Sequence, residues 1–257
     1  MGMTRLEFEQ AVSSLRRSLP EKISLIALDS VDSTNSYAKT LAANGAPPTI
    51  VIARGQTGGR GRLGRPFSSA AGEGVYLSYL FYPDISPDKI SRLTAGAAVA
   101  TAECIEAASG AECGIKWVND VFIANKKICG ILTEGAFSPD GRLAYAIIGV
   151  GVNLYDRDFG ELSEVASSIE RETGVRPEPE SFLRDLTARL ISAAISPDVA
   201  GYKRRSTIVG KRVRVIGGGS EYEAEAVSIN DVCHLIVKDK NGDLRELSSG
   251  EISVKVT

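Results

Sequence analysis

Near residue 208 the chain changes its period, and that change constrains the fold more than any other feature. From about Ile208 to Val256, β-branched residues alternate with polar ones in "KRVRVIG", "HLIVKD" and "EISVKV", and Gly or Asn breaks each run. Strands that short and that closely spaced predict a small β-barrel. Residues 1–205 read differently. Thr4 and Glu7 form a capping-box pattern that opens a helix with Leu6, Val12, Leu15 and Leu19 on its apolar side. Ile23 to Leu28 reads as a strand. "DSTNSYAKTLAANG" reads as a helix capped at Asp32 or Ser33, with Gly45 beyond its end. "TIVIA" (Thr49 to Ala53) and "GVYLSYLF" (Gly74 to Phe81) are further strands. Ser86 and Pro87 open the longest helix, through Leu93, Ala97, Ala100, Cys104 and Ile105 to about Gly110. Ile115 to Leu154 reads as consecutive strands with turns at Asn125-Lys126 and Ser138 to Gly141, followed by helices around Leu162 to Glu172 and Ser181 to Ile195. Strands followed by clustered helices predict an α+β sheet domain rather than a doubly wound one. The expected organisation is a domain over 1–205 and a barrel over 206–257.

Composition narrows the chemistry. A net charge of -2 over 257 residues gives no global attraction to nucleic acid or membrane, so any anion site must be local. No apolar run approaches the ~18 residues of a membrane span. "MGMTRLEFEQ" is too charged for a signal peptide, and a cytoplasmic location is expected. Cys104, Cys113, Cys129 and Cys233 form no C-x-x-C pair, which predicts reduced thiols and neither a zinc site nor a disulfide framework. The single histidine, His234, lies in an alternating strand pattern far from the other unusual stretches. Chemistry here must therefore rest on Lys, Arg, Asp and Asn.

Four stretches, and a fifth beside them, stand out. "QTGGRGRLGR" (Gln56 to Arg65) puts four glycines and three arginines into ten positions. It matches neither a Walker loop nor a Rossmann fingerprint. Glycines let the backbone approach a ligand closely, and arginines offer planar forks for carboxylate or phosphate, so the stretch reads as an anion clamp. "KWVND" (Lys116 to Asp120) crowds a cation, the only tryptophan, an amide and a carboxylate onto one strand end. In "NKKICGILTE" (Asn125 to Glu134), Lys127 opens a strand that Gly130 interrupts, as happens where a ligand or another backbone comes close. "IIGVGVNL" (Ile147 to Leu154) is an apolar strand with two glycines, ending near Asn153. "DSTN" (Asp32 to Asn35) sets hydrogen-bonding groups at a helix N-terminus. Taken singly, each has an ordinary reading: a solvated loop, a polar turn, a surface lysine beside a bulge, a packed core strand, a helix cap. Their order within one domain carries more weight than any one of them.

That ordered set (S-T-N, Q-x-x-G-R-G-R-x-G-R, K-W-x-N-D, K-x-x-G-I-L-x-E, G-x-G-x-N, and "SSGEISV" near the end) resembles the biotin protein ligases. The resemblance runs from about Ile23 to the C-terminus. It implies an SH2-like mixed β-sheet catalytic domain flanked by helices, followed by an SH3-like barrel. It implies that biotin and ATP, with Mg2+ carried by the nucleotide, give biotinyl-5'-AMP and pyrophosphate, and that a lysine of a biotin carboxyl carrier domain then attacks the adenylate. By resemblance, Ser33, Thr34, Asn35 and Gln56 meet the ureido end of biotin, with Gly59, Arg60, Gly61 and Gly130 also at the biotin site. Arg62 and Lys127 reach the carboxylate and the α-phosphate. Arg65, Trp117, Asn119 and Asn153 fall to the nucleotide, and Asp120 is the carboxylate nearest the chemistry, toward metal binding or toward lysine deprotonation. Departures are mild: Val118 stands where many relatives have proline, Leu63 where some carry a cation, and Phe67 where tryptophan is often found.

Only about twenty residues precede the first predicted strand, too few for the helix-turn-helix of the bifunctional relatives, so a monofunctional ligase without DNA binding is expected. A homodimer through a sheet edge is compatible with the resemblance. Lipoate ligases and octanoyltransferases share the catalytic fold by resemblance but lack the G-R-G-R clamp and the "KWVND" run. A nucleic-acid-binding module using Arg60, Arg62 and Arg65 would need a wider basic face than this acidic chain offers. Between Gln56 and Arg65 only Leu63 has a core-suited side chain, and nothing in the sequence offsets the entropy of ordering four glycines, so the segment is expected to be mobile without ligand.

Overall fold

In a computed structural model of the chain, residues 2–217, 220–248 and 253–256 are described. Helix α1 (Arg5–Ser18) starts at the predicted capping box: the Thr4 hydroxyl accepts from the Glu7 N–H at 3.2 Å, and the Thr4 N–H donates to the Glu7 carboxylate at 2.6 Å. Its buried face is Phe8, Ala11, Val12 and Leu15. Leu6, expected on that face, is 63% exposed, because positions 8, 11, 12 and 15 keep the i, i+3, i+4, i+7 spacing and position 6 falls outside it.

Seven strands form one mixed sheet in the order β1-β2-β3-β7-β6-β5-β4. They are β1 (Ser24–Val31), β2 (Thr49–Gln56), β3 (Gly74–Phe81), β4 (Cys113–Lys116), β5 (Asp120–Ile123), β6 (Lys126–Phe137) and β7 (Leu143–Asn153). Only β1 and β2 run parallel, joined through helix α2 (Thr34–Ala43); the other pairs are antiparallel. The tight turn between β5 and β6 falls at Ala124 and Asn125, one residue earlier than expected, with Ala124 at φ 51°. The turn from Ser138 to Gly141 is as expected, closed by the Gly141 N–H on the Ser138 carbonyl at 2.9 Å.

One face of the sheet is covered by α1, α3 (Ile90–Ser109) and α5 (Pro179–Ile195), and the main core lies there. The Ser86-Pro87 start is a single 3-10 turn over Pro87–Lys89, from which α3 continues to an αL cap at Gly110. The other face carries α2 alone, over a small cluster of Ala38, Val51, Leu80 and Ile147. Side chains alternate between the faces, so the run Ser78, Gly149, Gly151, Gly130, Leu132 and Glu134 shares α2's side, where registers Ser78↔Gly149 and Gly130↔Gly151 set small residues opposite each other. The first turn of α2 reaches this glycine-paved half at Gly149, through Asn35, while Gly130 and Gly151 carry the Phe67 ring instead.

One helical expectation fails, and one helix appears where none was expected. The segment around Leu162 to Glu172 is a 3-10 turn (Gly160–Leu162) and a helix of five residues, α4 (Ile169–Thr173), separated by extended chain that bridges Lys127 to Ala166. A short helix α6 (Val199–Arg204), capped by the Asp198 carboxylate on the Gly201 N–H at 2.8 Å, occupies the stretch read as a boundary.

The C-terminal strands β8 (Arg212–Gly217), β9 (Ser220–Ile229), β10 (Leu235–Asp239), β11 (Leu244–Leu247) and β12 (Ser253–Val256) make a five-stranded antiparallel sheet in the order β11-β10-β9-β8-β12. Val213, Val215, Ala226, Leu235 and Val237 fill its inside. Residues 249–252 of the "SSGEISV" stretch lie outside the described residues. The two sheets meet at Trp117, whose indole N–H donates to the Cys233 carbonyl at 3.0 Å. No helix among the described residues is long and apolar enough to cross a membrane.

Candidate active site

Over the glycine-paved half of the sheet lies the main pocket, and its walls come from all five stretches singled out in the sequence. Ser33, Thr34 and Asn35 stand at one end, at the N-terminus of α2, where the Ser33 side chain caps the helix. Gln56, at the end of β2, reaches them: its Oε1 accepts from the Thr34 N–H at 2.8 Å and its Nε2 donates to the Ser69 hydroxyl at 2.9 Å. The buried Ser78 hydroxyl donates to Asn35 Oδ1 at 2.6 Å, and Asn35 Nδ2 donates to the Glu134 carboxylate at 2.8 Å. The end of the pocket at α2 is thus a rigid array of small polar groups.

Much of the rest of the lining is ionic, and it meets the polar groups on the sheet, with Asn35 over Gly149 and Lys127 beside Gly130. Arg60, Arg62, Arg65, Lys116, Lys127 and Asp120 line the pocket, so five of its six charged side chains are cations. A cavity with that balance attracts anions although the chain as a whole carries -2. Lys127 Nζ lies 2.7 Å from Asp120 Oδ1, and both side chains are mostly covered. This is a charge contact rather than an aligned hydrogen bond, since that buried oxygen has no donor directed at it. Burial depresses the Arg62 guanidinium pKa, against the opposing pull of Asp120.

The Gly/Arg segment has anchors that its sequence did not disclose. Phe67 N–H donates to the Gly59 carbonyl at 2.9 Å and Gly61 N–H to the Arg65 carbonyl at 2.7 Å. The Phe67 ring lies against the cross-strand pair Gly130 and Gly151, where a Cβ on Gly151 would run into the ring. Arg60 pairs with Glu134 at 3.2 Å. Leu63, the one residue suited to a core, is 52% exposed and takes a left-handed φ of 57°. What offsets the ordering of these glycines is therefore an aromatic ring on a glycine floor and an ion pair.

"KWVND" supplies a wall. Trp117 and Asn119 line the pocket. Asn119 is fixed on both sides, its Nδ2 donating to the Ile131 carbonyl at 2.7 Å and its own carbonyl accepting from the Ile131 N–H at 2.9 Å. Tyr202 of α6, buried, donates its hydroxyl to the Val118 carbonyl at 2.8 Å. Gly61 and Gly130 also line the pocket, whereas Gly59 and Asn153 do not. Gly59 is pressed against the Phe67 carbonyl and the Ser69 hydroxyl, where a side chain would not fit. Asn153 is buried, donates to the Ser167 carbonyl at 3.0 Å, and keeps an Oδ1 without a partner.

Sequence reasoning passed over Ser78, Ser69, Tyr202 and Glu134 as parts of this arrangement. Ser78 had a signal, as the lone small hydroxyl in the apolar "GVYLSYLF". Glu134 closed a quoted motif without a role. Burial raises its pKa, yet the Lys39 ammonium at 2.6 Å, the Asn35 amide and Arg60 more than reverse this and hold the carboxyl below its ordinary value. Among the described residues no group of three or more His, Cys, Asp or Glu is placed to hold a metal ion.

A polar recess at a helix N-terminus lined also by five cations is a site that can receive an anionic small molecule. Comparison with known proteins agrees. Residues 27–153 match the biotin/lipoate A/B protein ligase family and residues 208–255 the biotin protein ligase C terminal domain. The bifunctional ligase/repressor BirA of Bacillus subtilis is 32% identical over 90% of this chain and 74% of its own length. The biotin–acetyl-CoA-carboxylase ligase of Mycobacterium tuberculosis is 31% identical over 86% of this chain and 85% of its own. A biotin protein ligase from Aquifex aeolicus in complex with biotin and ATP superposes with a TM-score of 0.73 at 24% identity, covering 91% of this chain and 99% of that one. The chain belongs to the biotin/lipoate A/B protein ligase family.

Proposed function

We propose that this chain activates biotin with ATP to biotinyl-5'-AMP and transfers biotin to a lysine of a biotin carboxyl carrier domain. The observation that carries the reading is that one pocket is lined both by the hydrogen-bonding groups of Ser33, Thr34, Asn35 and Gln56 and by the cations Arg62 and Lys127, with Asn35 over Gly149 and Lys127 one same-face pair further along the sheet beside Gly130. Biotin suits both sets, with a cyclic urea at one end and a carboxylate at the other. The C-terminal match over residues 208–255 favours biotin over lipoate.

In this reading the biotin carboxylate oxygen attacks the α-phosphorus of ATP and pyrophosphate leaves. Two anions must approach, so fixed cations where charge accumulates both orient them and lower the barrier. Arg62, desolvated, and Lys127 take that role, with Gly61 and Gly130 allowing close approach and Arg60 and Gly59 shaping the clamp. Arg65, Trp117 and Asn119 wall the nucleotide, and Asn153 supports the strand that carries Lys127, since it bonds the Ser167 carbonyl while the Ser167 N–H bonds the Lys127 carbonyl. Mg2+ enters with ATP as part of the substrate. In the second step the carrier lysine nitrogen attacks the anhydride carbonyl, AMP leaves, and the amine loses a proton; Asp120 is the carboxylate placed to take it. The anhydride is water-sensitive, which is why a segment that covers the pocket belongs to the mechanism.

The functional units are residues 1–205, with the pocket, and 206–257, which contacts it through Cys233 and Trp117. Four free, buried cysteines fit a reducing compartment, and we assign the protein to the cytoplasm. No DNA partner is assigned. The outer strand β1 is the edge through which a homodimer would pair, since the outer side of β4 is taken by residues 205–207. ATP–pyrophosphate exchange tests the reading: it should require biotin, and exchange with lipoate but not biotin would overturn it.

A further inference from the structure

A chain of hydrogen bonds behind the pocket begins and ends on the Gly/Arg segment. At one end the Phe67 carbonyl accepts from the Ser69 hydroxyl at 3.0 Å, and Ser69 accepts from Gln56 Nε2 at 2.9 Å. Gln56 Oε1 accepts from Thr34, whose hydroxyl lies 2.7 Å from that of Ser78. Ser78 donates to Asn35 Oδ1, and Asn35 Nδ2 donates to Glu134. Arg60 closes the chain on the Glu134 carboxylate, 74 positions away in sequence. Glu134 does not line the pocket. It stands behind Asn35 on β6, with its other oxygen held by Lys39 of α2 at 2.6 Å.

We infer that Glu134 is a positioning residue, whose carboxylate fixes the donor and acceptor sense of the pocket's polar end through Asn35 and anchors the clamp segment through Arg60. An ionised carboxylate only accepts hydrogen bonds. Asn35 must therefore turn its Nδ2 toward Glu134, a sense the Leu132 carbonyl at 3.2 Å reinforces, and its Oδ1 toward Ser78. A hydroxyl has one proton. Ser78 gives it to Asn35, so the Thr34 hydroxyl proton goes either to the Ser78 oxygen at 2.7 Å or to Gln56 Oε1 at 3.1 Å, and in both cases Thr34 is left presenting lone pairs to the pocket. That is the sense needed to accept an N–H of a cyclic urea. A neutral amide at position 134 can donate as well as accept, which leaves the Leu132 carbonyl alone to orient Asn35 and so weakens the fixed sense of Ser78 and Thr34. It also removes the counter-charge that Arg60 and Lys39 share.

The urea half of this inference rests on the biotin reading; the anchoring of Arg60 does not. Glu134→Gln, nearly the same size, tests both. In biotin-dependent ATP–pyrophosphate exchange the KM for biotin should rise about tenfold, roughly one charge-assisted hydrogen bond, while kcat at saturating biotin stays within about threefold. Glu134→Asp, which keeps an acceptor, should recover part of the KM. Limited trypsin digestion of the ligand-free proteins gives a second readout: the variant should be cut after Arg60 or Arg62 about tenfold faster than wild type. Unchanged KM with unchanged cleavage would overturn the inference. So would an equal loss in kcat and in affinity accompanied by a lowered melting temperature, the mark of a merely structural residue. Absence of biotin-dependent exchange in the wild type would defeat the ligand reading alone, and the cleavage contrast would then decide the anchoring.

Discussion

Lys127→Gln removes one cation from a place where two anions are proposed to meet. Its Nζ is 2.7 Å from Asp120 and faces the pocket beside Arg62. Loss of one preorganised group directed at developing charge costs about 3 kcal/mol, or about 100-fold in rate. A Coulomb estimate at an effective dielectric near 20 gives about 4 kcal/mol for unit charges ~4 Å apart, an upper bound on the same effect. The fold should suffer much less. The Lys127 and Asp120 side chains are 31% and 24% exposed, between the surface and fully buried regimes, so breaking the pair costs about 1–2 kcal/mol. That corresponds to a fall of a few degrees in melting temperature. Biotin-dependent ATP–pyrophosphate exchange at saturating biotin and ATP, with a thermal melt of each sample, measures both. Exchange within threefold of wild type would refute the assignment of Lys127 to the charge-bearing step. A variant that no longer folds would refute the separation of catalytic from structural effect. The double variant with Asp120→Asn adds a check: if Asp120 only balances Lys127, it should exchange no more slowly than Lys127→Gln alone.

Three further outcomes follow from the geometry. Gly151→Ala puts a Cβ into the Phe67 ring, which should cost about 1–3 kcal/mol by overpacking and raise the biotin KM; Phe67→Ala in the same chain should recover part of the melting temperature, and no change on either count would mean the ring does not rest on that glycine. The Cys113 thiol is pushed up to about 12 and that of Cys233 to about 11, both by burial, and Cys104 and Cys129 are raised too, so the folded protein at pH 8 should not react with a thiol reagent until denatured; fast labelling of one thiol would contradict this. Glu134 is held below its ordinary value of 4.5, so its ion pairs contribute fully above pH 4.5 and are lost as pH falls through the lowered folded value; the stability gap between wild type and Glu134→Gln should be flat from about pH 5 to 8 and close at lower pH, while a gap that widens on acidification would reverse the assigned sign.

Local rules were legible in the sequence where the interactions are local. The Thr4–Glu7 box, the strand Gly74–Phe81 and the Gly110 cap fell where capping chemistry and a short, continuous apolar run put them. The stretch Leu162 to Glu172 misled because Leu162, Val165 and Ile169 have helical spacing, yet Leu162 and Val165 are exposed and the chain from Val165 to Ser167 is spent on bridging Lys127. The helix Val199–Arg204 was hidden behind a Pro-Asp pair that reads as a turn but serves as its cap. For the pocket, the motifs showed which residues would gather, since each carries its own polar or glycine signal. How they gather was not legible. Phe67 resting on Gly130 and Gly151 depends on the β6–β7 register, and the Glu134–Arg60 pair joins residues far apart in the chain.

The most direct test of the account is the product itself. A biotin carboxyl carrier domain incubated with this protein, biotin and MgATP should gain the mass of one biotin less water, on a single lysine, and should gain nothing when either small molecule is omitted. No gain with biotin, or a gain with lipoate in its place, would contradict the account.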